Sequence, residues 1–142
     1  MVRAKESITR TTKPAPFNGT GEICVRDLLN GPGEMYNKAR VFAHTTVYPG
    51  SAIGYHVHTN ESETYYILKG TARFNDNGTE HILCPGDVAF TGRGDGHGIE
   101  ALEGPVEKIA LILYEKEPSQ YKHLCTEQAL LLQSCRMPQE RQ

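Results

Sequence analysis

His56, His58 and Glu63 all fall in one stretch, GSAIGYHVHTNESETYYILKG from Gly50 to Gly70, and all three are of types that bind transition metals. His56 and His58 stand two apart among β-branched and aromatic residues, so on a strand both imidazoles leave the same face. After the polar turn Thr59-Asn60-Glu61-Ser62, Glu63 opens the next β-prone run and can fold back as an oxygen ligand. A fourth donor must come from elsewhere, and His97 in GRGDGHG is the best-placed candidate. Three neutral imidazoles and a carboxylate suit Fe²⁺, Mn²⁺, Ni²⁺, Co²⁺, Cu²⁺ or Zn²⁺, without distinguishing among them, and suit Ca²⁺ or Mg²⁺ poorly. If these donors fill four corners of an octahedron, two adjacent positions stay open for a chelating substrate or for O₂. His44, His81 and His123 sit in no such spacing and read as surface or helix residues.

Other residues near these ligands have roles to weigh. Tyr65 lies two after Glu63, so its ring faces the same interior, as a proton donor or general acid/base or as an aromatic that fills space. Tyr55 and Tyr66 point to the opposite face, while Ile99 and Ala101 follow His97 inward and make that wall apolar. Arg93, in the loop before His97, is the candidate for an anionic substrate at the mouth, against the plainer reading of a solvated loop arginine. The run TGRGDGHG superficially suggests a phosphate loop, but it lacks both a following helix and a Lys-Ser/Thr pair.

The elements that must position these residues are short strands. Ala39 to Tyr48 alternates, with Val41, Ala43, Thr45 and Val47 on one face. Further strands are expected over Ile53 to His58, Thr64 to Leu68, Thr71 to Asn75, Glu80 to Cys84, Val88 to Thr91, Gly98 to Leu102 and Val106 to Glu115. Asp76-Asn77-Gly78 is a hairpin signal, since asparagine and glycine tolerate positive φ. Many short strands separated by Gly and Pro imply an all-β sandwich or barrel. Residues 1–21, rich in Thr, Lys and Pro, read as a loosely ordered arm or a recruited edge strand, and 22–117 as the barrel domain. From Pro118 the apolar steps Tyr121, Leu124, Cys125, Leu131 and Leu132 predict an amphipathic C-terminal helix within 118–142. Its stripe would cover the barrel or the same helix of a second subunit.

The spacing Gly50-x5-His56-x-His58-x4-Glu63-x6-Gly70 resembles the first signature motif of the cupin family at every fixed position. Gly86-x5-Gly92-x-Gly94-x2-His97-x3-Ala101 is similar to the second, with glycine where the family has proline and Ala101 where it has asparagine. The resemblance implies a small cupin, or jelly-roll, barrel of two antiparallel sheets with an interior metal held by His56, His58, Glu63 and His97. It also implies one divalent transition metal per chain and a small-molecule ligand.

The chain as a whole narrows the function. Its 142 residues make one domain. A net charge of −2 and a pI near 6.3 give no footprint for nucleic acid, and no basic run suits anionic lipid. No apolar stretch reaches membrane-span or signal-peptide length, so a cytoplasmic protein is expected. Cys24, Cys84, Cys125 and Cys135 form no C-x2-C pair and are expected as reduced thiols. The combined expectation is a homodimeric, metal-dependent enzyme acting on a small oxygenated organic molecule, its reaction unassigned. The alternative is a non-catalytic module that binds or senses a small ligand.

Overall fold

The computed structural model describes residues 1–115. The amphipathic helix expected from Pro118 lies outside the described residues. The strands are β1 (Arg10–Pro14), β2 (Glu22–Leu29), β3 (Ala39–Val47), β4 (Ala52–Val57), β5 (Glu61–Lys69), β6 (Ala72–Asp76), β7 (Thr79–Leu83), β8 (Val88–Thr91), β9 (Gly96–Ala101) and β10 (Val106–Tyr114). A single-turn helix, α1 (Gly31–Glu34), joins β2 to β3. All pairings are antiparallel. They build a six-stranded sheet in the order β1-β2-β3-β10-β5-β8 and a four-stranded sheet in the order β4-β9-β6-β7.

The strands at the middle of the six-stranded sheet bury alternate residues, most clearly β10, as a two-residue side-chain period requires. In β10, Val106, Lys108, Ala110 and Ile112 are buried, while Glu107, Ile109 and Leu111 are less so. The inner faces of the two sheets meet in a core that includes Val47, Ile67, Phe74, Ile99 and Val106. On the outer face of the six-stranded sheet, Tyr66, Leu68, Val88, Phe90 and Leu113 are exposed. The hairpin between β6 and β7 turns through Asn77 and Gly78, both at positive φ.

Two local features, an edge strand from the arm and an earlier start for β9 than the sequence reading expects, shape the interior. Residues 10–14 form β1, which pairs with β2 at the edge of the protein's own six-stranded sheet. Every β1 residue is exposed, which explains why the segment carries no apolar period. In addition, β9 begins at Gly96 rather than Gly98, so His97 is itself a strand residue, paired with His56 on one side and Asp76 on the other. Gly96 lets the Tyr55 ring lie close over the strand, since a Cβ there would meet that ring as placed.

Candidate metal centre

Both sheets contribute to the cluster. His56 on β4 and His97 on β9 come from the four-stranded sheet and face each other across one rung. His58 follows just after β4 and is held by the loop between β8 and β9: its N–H donates to the Asp95 carbonyl at 3.1 Å, and its carbonyl accepts from Gly94 N–H at 2.8 Å. Glu63 projects inward from β5 of the opposite sheet. Their donor atoms lie within 4.8 Å of one another. His97 Nε2 is 3.1 Å from His58 Nε2, 3.2 Å from His56 Nε2 and 3.0 Å from Glu63 Oε1. His58 Nε2 is 3.6 Å from the same carboxylate oxygen.

The rings are oriented from behind. His56 Nδ1 donates to the Gly54 carbonyl at 2.8 Å, and His58 Nδ1 donates to Glu61 Oε1 at 2.9 Å. Both acceptors lack a hydrogen to give, so each Nδ1 carries the proton and each Nε2 keeps a bare lone pair. His97 Nδ1 lies 2.8 Å from the Thr91 hydroxyl, which can accept in the same way. Three imidazole lone pairs and a carboxylate then point at one spot, an arrangement that repels itself unless a cation or extra protons sit among them. The three edges from His97 Nε2, 3.0 to 3.2 Å, match the ~3.0 Å expected between ligands at right angles with bonds of about 2.1 Å, while the His58–Glu63 edge is longer at 3.6 Å. The cluster could hold a metal ion.

Charge in the site follows its contacts. Burial pushes the Glu63 carboxyl up, but without a metal the His58 and His97 rings can take an extra proton on Nε2 and hydrogen-bond to it, and with the charge of Lys108 this outweighs burial, leaving the group well below the usual carboxylate range. His58 is raised above its ordinary value, chiefly by Glu63, while His56 is lowered, chiefly by burial. Behind His58, Glu61 takes two hydrogen bonds from Arg40, at 2.8 and 3.0 Å, which hold its carboxyl low. Tyr65 is stacked on His97 with ring centroids 5.0 Å apart, its hydroxyl 3.5 Å from His97 Nε2. Burial and the neighbouring Glu63 push the Tyr65 phenol well above its ordinary value, so it keeps its proton.

A cavity of about 200 Å³ reaches this cluster. His56, His58, Glu63, Tyr65, Arg40 and Lys108 line it, and the arm adds Lys13, Pro16 and Phe17. Phe17 lies flat on His56, ring centroids 3.8 Å apart and planes 10° apart. The backbone turns sharply to put it there, with positive φ at Ala15, Phe17 and Asn18. Gly54 permits the approach, since a Cβ would meet the Phe17 carbonyl.

The sequence candidates His56, His58, Glu63, His97 and Tyr65 are therefore brought together. Arg93 is placed elsewhere: it is exposed in the loop after β8, with Nε 3.1 Å from the Glu115 carboxylate, and the cations that line the cavity are Arg40, Lys13 and Lys108. The sequence reading missed Lys108, Glu61, Arg40 and Phe17. A signal existed for Lys108, a charge at an inward position of an alternating apolar strand, and for Glu61, a carboxylate three residues after a ligand histidine.

The family model described as Cupin domain matches residues 43–112, which span the whole cluster. An oxalate-binding protein from Thermotoga maritima is 46% identical over 100 residues, covering 70% of this chain and 82% of that protein. The chain belongs to the cupin family. Among solved structures, this cupin resembles a predicted oxalate decarboxylase from Thermotoga maritima, with a TM-score of 0.76 and 39% identity over 80% of this chain and 99% of the other. It shares its fold with an RmlC-like cupin from Shewanella frigidimarina, with a TM-score of 0.63 and 16% identity over 80% and 90% of the two chains. In the described part of this cupin, no helix is long and apolar enough to cross a membrane.

Proposed function

We propose that this cupin holds one divalent transition metal on His56, His58, Glu63 and His97 and uses it to bind and transform a small organic acid of the size of oxalate. The convergence of three Nε2 atoms and one carboxylate oxygen beside a cavity carries this reading. When bound, the metal supplies Lewis-acid polarisation of a chelated carboxylate. The rest falls to the protein's own groups. Gly54, Glu61 and Thr91 keep the imidazoles turned so that Nε2 faces the centre. Tyr65, held as a neutral phenol, can donate a hydrogen bond or a proton but not accept one as a base. Phe17 shields the His56 edge of the centre from water.

The cavity supports the choice of ligand size. At about 200 Å³ it is smaller than the ~300–1,000 Å³ of sites for drug-sized molecules, so it suits an acid of few atoms. The relatives named for oxalate agree with that limit. Binding without reaction is the second reading, and the relative named as an oxalate-binding protein favours it. Metal analysis of the purified protein, followed by an oxalate titration and product analysis by NMR, separates the readings. Stoichiometric metal with consumption of oxalate is expected. Binding without consumption leaves the binding module, and absence of stoichiometric metal after loading removes both.

A further inference from the structure

The barrel interior holds a charge that the metal centre does not use. Lys108, on β10, is only 2% exposed. Its Nζ stands 3.6 Å above the centroid of the Tyr65 ring, and the hydroxyl of that ring is 3.5 Å from His97 Nε2. Lys108 lines the same cavity as the ligands, yet it forms no direct ion pair among the described residues. Glu63 attracts it at a distance but is engaged with His58 and His97. A buried ammonium facing only a ring and a shared carboxylate weakens the fold, so its placement calls for a partner that arrives later.

The other cations of the cavity do not fill that part. Arg40 is committed to Glu61 through two hydrogen bonds, and Lys13 belongs to the exposed edge strand β1. We infer that Lys108 is the second anchor of the ligand site, pairing with the anionic end of a small dicarboxylate whose other oxygens face the metal cluster. The inference rests on the metal-centred reading and adds a preference to it: acids with two anionic ends are held, and monocarboxylates of similar size are held weakly. A ring face under the ammonium keeps Nζ fixed without satisfying its hydrogen-bond donors, which remain for the ligand.

The test compares wild type with Lys108→Met and Lys108→Gln, all loaded with Mn²⁺, titrated calorimetrically with oxalate and with acetate. The inference expects each variant to keep its metal content and circular dichroism spectrum, to lose about tenfold or more in oxalate affinity, and to hold acetate within about twofold. Two neutral replacements of different shape keep the result readable if one of them folds poorly. Unchanged oxalate affinity in the variants overturns the role of Lys108 and leaves the metal-centred reading standing. Equal losses for oxalate and acetate overturn it too, since they report a disturbed cavity rather than a lost ion pair. Wild type that takes up no metal, or takes it up and binds neither acid, overturns the metal-centred reading and this inference with it.

Discussion

Replacing Lys108 by methionine should make the metal-free protein more stable near neutral pH, and the gain should close as the pH rises. Burial pushes the Lys108 ammonium down to about 8, after Glu63 has recovered part of the loss, against 10.5 for an ordinary lysine. Between those values the unfolded chain binds more protons than the folded one, so wild-type stability rises with pH across the window. At about pH 7 the lysine is charged in both states and the penalty is present in full. A gap of about 2.5 units at 1.36 kcal/mol each is roughly 3 kcal/mol. Methionine removes that penalty but forfeits the contact with the Tyr65 ring, worth about 2 kcal/mol for a desolvated pair, for a net gain of about 1 kcal/mol. In a chain of this size that raises the unfolding midpoint by roughly 3–5 °C. By about pH 10 the remaining penalty is under about 1 kcal/mol and the two proteins should melt together. The other charged groups of the cavity, Asp27, Glu63, Arg40 and Lys13, are common to both, so the difference isolates Lys108. Calorimetric melts in the presence of a chelator at the two pH values make the comparison. A variant that melts below wild type near neutral pH, or a gain that does not shrink on alkalinisation, would refute the reasoning.

Two further outcomes follow from the geometry behind the cluster. Glu61→Gln keeps an acceptor for His58 Nδ1 but removes the charge that Arg40 holds in place, so metal affinity, measured against a competing chelator, should fall by roughly 10- to 100-fold. A change under about threefold would show that Glu61 does not orient the ring. Metal affinity should also decline as the pH falls, beginning above the ordinary histidine value: His58 is raised chiefly by Glu63 and must shed its proton to bind, whereas His56 is lowered and stays neutral. Titrations across the weakly acidic range that give a flat affinity would contradict this assignment of protons.

The two-residue step between His56 and His58 and the alternation along each strand are local properties of the chain. That is why the sequence alone determined the ligand types, the all-β class and the inward side of Tyr65. Neither property states which strand lies opposite which. The rung that sets His97 against His56 depends on β9 pairing with β4, and the 3.0 Å approach of Glu63 to His97 depends on the two sheets closing on each other. Lys108 illustrates the same division. Its inward position was readable from the alternation of Val106, Ala110 and Ile112, but its contact with Tyr65 arises because β10 lies beside β5 in the six-stranded sheet. The arm shows it most plainly: a segment with no apolar period becomes strand β1, and Phe17 beyond it reaches His56 through three residues at positive φ. Sequence periodicity reports the face a residue turns toward; only packing between distant segments decides what that face meets.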